Sequence, residues 1–178
     1  LAIDTDGNGS FDTVITLGGR IGTSFQVTRA AGSTTIALPA NGGDGTLKGS
    51  TGDDTLWGGD GNDRLDGLAG ADRLYGGTGD DVAYGGAHYD LLQGDVGDDR
   101  LYGGDGDAHI EGGNGGATLG GGNGNDRLAA GDDGSAVRLE GGAGDDACFG
   151  GFGDDLGYGG DGNDFLLLYS PEDYDDYW

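Results

Sequence analysis

The residues best placed to do chemistry in this chain are aspartates that return at a fixed interval. Asp54, Asp63, Asp72, Asp81, Asp90 and Asp99 follow one another every nine residues, Asp126 continues the phase, and Asp146, Asp155 and Asp164 resume it after an offset. Two places after most of them stands an apolar residue, as in Leu56, Leu65, Leu74, Leu92, Leu101, Leu128 and Leu166. Ordered carboxylates set among glycine turns, whose carbonyls are free to point inward, suit a hard divalent cation that takes about six to eight oxygens. Acid–base catalysis needs a unique pair of carboxyls, and these repeat too regularly to supply one. His88 and His109 are isolated, no GxSxG or HExxH segment is present, and Cys148 falls in the apolar column, where a structural thiol is expected. The residues therefore read as a binding protein and not as an enzyme.

Positioning such a series requires a repeat. Cut before each Gly-Gly pair, the chain from Gly49 to Ala129 divides into nine-residue blocks without insertion, such as GGDGNDRLD, GLAGADRLY and GGTGDDVAY. An eleven-residue block, Ala130 to Glu140, precedes three more regular blocks that end at Leu167, and a degenerate ANGGDGTLK occupies Ala40 to Lys48. Glycines at positions one, two and four allow a tight six-residue turn, and the remaining triplet forms a short strand whose central residue points inward. Two blocks then make one coil. Residues eighteen apart stack on one edge, which brings together the pairs Asp54/Asp72, Asp72/Asp90, Asp63/Asp81, Asp81/Asp99, Asp126/Asp146 and Asp146/Asp164.

This GGxGxDxUx pattern closely resembles the RTX (repeats-in-toxin) hemolysin-type calcium-binding nonapeptide family over about two thirds of the chain. The resemblance implies an all-β fold, a parallel β-roll or β-solenoid with two nonapeptides per coil. It also implies several Ca2+ ions held between consecutive turns of one edge, with position six supplying the charge. RTX proteins leave the bacterial cell by one-step type I secretion, so an extracellular or cell-surface location is implied as well.

Composition bounds the alternatives. Glycine supplies 46 of 178 residues, acidic side chains 33 and Lys plus Arg only 8, for a net charge of −25. Nucleic acid is excluded as a partner because phosphate binding needs clustered cations. No glycine period of three exists, which rules out collagen. A single cysteine cannot close an internal disulfide, and no run of about 18 apolar residues offers a transmembrane segment. The start at Leu1 without a basic, apolar leader reads as a processed product or a fragment. One buried aliphatic per block contributes about 2 kcal/mol, against at least ~10 kcal/mol to order nine residues. Aspartates stacked ~5 Å apart repel by about 3 kcal/mol at an effective dielectric near 20. Folding is therefore expected to need the metal, and a glycine-rich disordered tract is the alternative that the strict phase opposes.

Departures from the repeat localise the weak points. Ala108 and Ala117 replace the aspartate on both edges of one coil, so sites there should bind calcium least tightly and open first as calcium is withdrawn. In the eleven-residue block Asp132 and Asp133 lie out of phase, Ala136 stands near the expected ligand position, and the edge should bulge. Residues 1–39 read as an N-terminal β unit, 40–167 as the roll and 168–178 as an acidic, aromatic tail. Asp4, Asp6, Asn8, Ser10 and Asp12 alternate around Gly9 and resemble the start of an EF-hand-type loop, although Ile15 replaces its bidentate glutamate. A β-flanked calcium loop and a polar hairpin turn both satisfy that segment. The tail serves either as a solvated end or as part of an export signal.

Three functions fit: a calcium-triggered secretion and folding module of a larger secreted chain, a surface-layer or adhesion component, and an ice-binding solenoid. Thr55 and Thr118 do not make the regular threonine ladder that ice would want. Outward Trp57, Tyr75, Tyr84 and Tyr102, beside Arg64, Arg73, Arg100 and Arg127, suit protein or glycan contact, or simple packing on one another.

Overall fold

The computed structural model describes residues 33–38 and 42–168 in full, together with the short backbone strands Ala2–Ile3, Thr13–Val14, Thr16–Leu17 and Gln26–Ala30. The alternation of one inward apolar residue with outward neighbours produces strands throughout, and no helix occurs among the described residues. Successive strands pass between two sheets. One sheet runs in parallel from Gly45–Lys48 through Arg64–Ala69, Val82–Ala87, Arg100–Asp105, Thr118–Asn123 and Arg138–Ala143 to Leu156–Asp161. The other runs from Ser33–Ala37 through Thr55–Asp60, Arg73–Thr78, Asp90–Val96, Ala108–Glu111, Arg127–Ala129 and Ala147–Gly151 to Phe165–Leu168. The chain is thus a parallel β-solenoid, with Leu56 opposite Leu74 and Leu65 opposite Ala83, one coil along.

Antiparallel strands begin each ladder. Thr16–Leu17 pairs with Gly45–Lys48, and Gln26–Ala30 pairs with Ser33–Ala37. The parallel ladder therefore already includes Ser33–Ala37, ahead of the first recognisable nonapeptide.

The strands are longer than the triplet read from the sequence. Thr55–Asp60 continues through the Gly-Gly-x of the next block because those residues also pair across coils, Gly59 with Gly77 and Asp60 with Thr78. In such six-residue strands two residues consequently face inward, the aliphatic and the first glycine, as Leu56 and Gly58 do. A single file of Ile36, Leu47, Leu56, Leu65, Leu74, Ala83, Leu92, Leu101, Ile110, Leu119, Leu128, Leu139 and Cys148 is fully buried. Leu166 in the last coil is 37 % exposed, so the file opens toward that end.

The glycine positions have two distinct causes. The second and fourth of a block turn the chain at positive φ, as Gly59 does at +98° and Gly61 at +118°, and the residues that replace glycine there, Leu68 and Asp95 at the second position and His88 at the fourth, hold φ of 80°, 72° and 88°. The first is required by close approach instead. A methyl on Gly58 would stand 2.5 Å from both Asp63 Oδ2 and the Gly76 carbonyl oxygen.

The eleven-residue block keeps both ladders in register but shortens the strand before it to Arg127–Ala129, without the Gly-Gly-x extension. Its surplus residues lie in a turn where Ser135 N–H and Oγ donate to Asp133, and the coil interval simply becomes twenty, with Arg127 opposite Ala147. Val137, and not Ala136, occupies the ligand column, because Arg138 pairs with Thr118 and fixes the residue before it opposite Ala117. The register is set by the strand after the turn, and the inserted residues lie upstream of it.

Candidate metal centre

Each position-six aspartate stands just before a strand or, as Asp90, at its first residue, and its side chain turns into the glycine-rich bend at one edge of the roll. Asp54, Asp63, Asp72, Asp81, Asp90, Asp99, Asp126 and Asp146 are at most 2 % exposed. Their carboxylates reach back one coil. Asp72 Oδ1 accepts the Asp54 N–H at 2.7 Å, and Asp90 Oδ1 accepts that of Asp72 at 2.9 Å. On the other edge Asp81 accepts from Asp63 at 2.7 Å and Asp99 from Asp81 at 2.8 Å. In the C-terminal part Asp146 accepts from Asp126 at 2.8 Å and Asp164 from Asp146 at 3.0 Å.

The second oxygen has no partner. Oδ2 of Asp63, Asp72, Asp81, Asp90, Asp99, Asp126, Asp146 and Asp155 is buried without a hydrogen bond. A lone buried polar atom is costly, and a row of them calls for a ligand. Asp54 differs, since Ser50 N–H donates to its Oδ2 and Thr34 N–H to its Oδ1. Asp155 and Asp164 occupy the less enclosed final coils, where Asp155 accepts the Val137 N–H at 2.9 Å.

Burial pushes the carboxyls up from their ordinary 3.8, to about 7 for Asp72 and Asp81. Asp63, Asp90, Asp99 and Asp126 rise to about 6. Desolvation dominates in each case and backbone N–H donors oppose it; like-charged neighbours such as Asp90 beside Asp72 add to it, except at Asp90 itself, where His88 opposes it. Asp146 and Asp155 shift the same way for the same first cause. At neutral pH these columns therefore favour positive charge between them.

Among the described residues no three His, Cys, Asp or Glu side chains gather at one point. Any ion must be completed by backbone oxygen, and the glycines provide it. Asp63 Oδ2 and the Gly76 carbonyl border the same face of Gly58, as Asp90 Oδ2 and the Gly103 carbonyl border that of Gly85, at 2.5 and 2.7 Å from a methyl built there. Two carboxylates plus inward carbonyls form an all-oxygen set, which suits calcium and not a thiophilic or imidazole-seeking metal.

The structure brings the aspartates of the repeat into two columns and puts Ala108, Ala117 and Val137 in the same columns as buried apolar residues. Asp4, Asp6, Asn8 and Asp12 lie outside the described residues. One column member escaped the sequence reading. Thr34 is fully buried one coil before Asp54, and its Oγ1 has no partner. Its signal is the placement of Ile36 two residues later in the apolar file, visible only when the register is carried back across Pro39.

The outward aromatics pack on one another. Trp57 stacks on Tyr75 at 5.5 Å and Tyr84 on Tyr102 at 5.2 Å, with the Arg64 guanidinium 4.4 Å over the Tyr84 ring. Cys148 is buried and unpaired, and desolvation pushes its thiol up to about 11, which makes it inert.

Parallel coils edged by stacked aspartates and glycine carbonyls define a calcium-binding β-roll. The family model of the RTX calcium-binding nonapeptide repeat, four copies long, matches residues 39–74, 66–100, 75–110, 90–119, 120–157 and 138–166. The chain belongs to that family, a structural calcium-binding module. Neither a curated protein nor a solved structure matches it.

Proposed function

We propose that this chain is the calcium-triggered folding and structural module of a secreted bacterial protein. The observation that carries the reading is the row of buried aspartate Oδ2 atoms without a partner. Calcium supplies the positive charge that lets these carboxylates remain ionised inside the fold. Asp54/Asp72, Asp72/Asp90, Asp63/Asp81, Asp81/Asp99, Asp126/Asp146 and Asp146/Asp164 are the pairs that would hold it, completed by glycine carbonyls. Asp155 has Val137 in place of a preceding partner and makes a poorer site.

Millimolar calcium over micromolar sites adds about 4 kcal/mol per ion, so a few ions decide between coil and roll. Calcium is scarce in the cytosol and plentiful outside. A chain with this dependence travels unfolded through a type I export channel and folds on emerging, and coils that have stacked outside resist its return. The free, buried Cys148 suits a route that does not rely on disulfides.

Circular dichroism during a calcium titration tests the folding step. Calcium should convert a disordered signal into strand, and magnesium should do so poorly, because it prefers a smaller octahedral shell with retained waters. A full strand signal in excess chelator, unchanged by calcium, refutes the reading. For export, the test is the state of the native chain inside the producing cell, where a folded, calcium-loaded roll would contradict the proposal.

A further inference from the structure

The two aspartate columns are interrupted at the same level of the roll. On one edge the order is Asp54, Asp72, Asp90, Ala108, Asp126, Asp146 and Asp164, each member linked to the next by position along the ladder. On the other it is Asp63, Asp81, Asp99, Ala117, Val137 and Asp155. Ala108, Ala117 and Val137 are each 3 % exposed and belong to the hydrophobic core. Ala108 still donates its N–H to Asp126 Oδ1 at 2.7 Å, so the backbone of the column is continuous and only the carboxylate is missing. Its methyl points at Gly103, as the Oδ2 of Asp90 points at Gly85.

We propose that this apolar level divides the roll into two calcium units that load independently. The N-terminal unit holds Asp54 to Asp90 and Asp63 to Asp99, and the C-terminal unit holds Asp126 to Asp164. The inference rests on the calcium reading above. Within a unit, neighbouring ions share a carboxylate: Asp72, Asp81 and Asp146 each stand between two carboxylate neighbours and so belong to two pairs. Across the apolar level nothing is shared. Strands of a parallel sheet lie ~4.8 Å apart, so Asp90 and Asp126 are about 10 Å apart and Asp99 and Asp155 about 14 Å. One apolar residue, Ala108, stands between the first pair and two, Ala117 and Val137, between the second, so neither pair can hold an ion jointly. The dividing coil carries no buried carboxylate of its own for calcium to neutralise, so no ion ties the two units together across it. A solenoid contacts only its nearest neighbours, which keeps the effect of losing an ion within its unit.

The test is residue-resolved amide hydrogen exchange on the full chain along a calcium titration, for the wild type, Asp72→Asn and Asp146→Asn. Asp72→Asn should raise the calcium needed to protect Arg64–Ala69 and Arg73–Thr78 at least about tenfold, by weakening two sites together. It should move Ala147–Gly151 less than about twofold. Asp146→Asn should give the reverse. Ala108→Asp restores an unbroken column on one edge, and in that background the effect of Asp72→Asn should reach Ala147–Gly151. Midpoints that move together by the same factor in the wild-type background overturn the division while leaving calcium binding intact. An exchange pattern indifferent to calcium in the wild type removes the calcium reading itself, and the division with it.

Discussion

Acid should fold the metal-free chain that neutral pH unfolds. The perturbation is a pH change in calcium-free buffer, from about pH 8 down to about pH 5, above the sequence pI of 4.1. A carboxyl whose folded pKa is raised contributes stability fully below its unfolded value of 3.8 and loses it as pH climbs through the folded value. For Asp72 and Asp81 that upper limit is about 7, and for Asp63, Asp90, Asp99 and Asp126 about 6. At 1.36 kcal/mol per unit, an ionised Asp72 costs the empty fold on the order of 4 kcal/mol and an ionised Asp63 on the order of 3 kcal/mol. Two or three such residues match the roughly 5–15 kcal/mol stability of an ordinary domain. Calcium and protons therefore compete for one role. Far-ultraviolet circular dichroism of chelator-treated, desalted protein should show strand signal growing between about pH 7 and pH 5, and calorimetric calcium affinity should fall over the same interval with proton release on binding. A metal-free signal that stays flat, or structure that is lost on acidification, would refute the reasoning.

Other changes follow from single contacts. Leu74→Ala empties part of a one-residue-wide core and should cost about 2–5 kcal/mol in urea unfolding at saturating calcium. Asp95→Gly relieves a non-glycine φ of 72° at an exposed position of the strand Asp90–Val96 and should raise the unfolding free energy by about 1 kcal/mol. Gly58→Ala drives a methyl against Asp63 Oδ2 and the Gly76 carbonyl, so calcium affinity measured by titration calorimetry should drop at least about tenfold. Cys148 should react with a thiol reagent only after calcium is removed, which mass spectrometry can follow.

The repeat made the architecture readable because two periodic columns constrain it independently. Once Asp63 and Leu65 are in phase with Asp81 and Ala83, the coil length, the inward residue and the edge carrying the carboxylate are all determined. Strand length was not legible, because Gly-Gly-x carries no side-chain pattern and pairs only through its backbone. The position of Val137 was hidden for a related reason: an inserted turn shifts phase, and only the partner strand shows where the shift ends. Thr34 was missed because a hydroxyl stands where the pattern demands a carboxylate and Pro39 interrupts the count. The division of roles between the two carboxylate oxygens, one capping the preceding coil and one left without a partner, depends on side-chain direction that residue type alone does not specify.

Anomalous diffraction from crystals grown in calcium is the most direct test that the aspartate columns are the metal sites. The account predicts ions in two rows, beside Asp54/Asp72, Asp72/Asp90, Asp63/Asp81, Asp81/Asp99, Asp126/Asp146 and Asp146/Asp164, with none between Ala117 and Val137. Calcium confined to exposed aspartates such as Asp53, Asp80 and Asp98, with the Oδ2 row still unliganded, would contradict it.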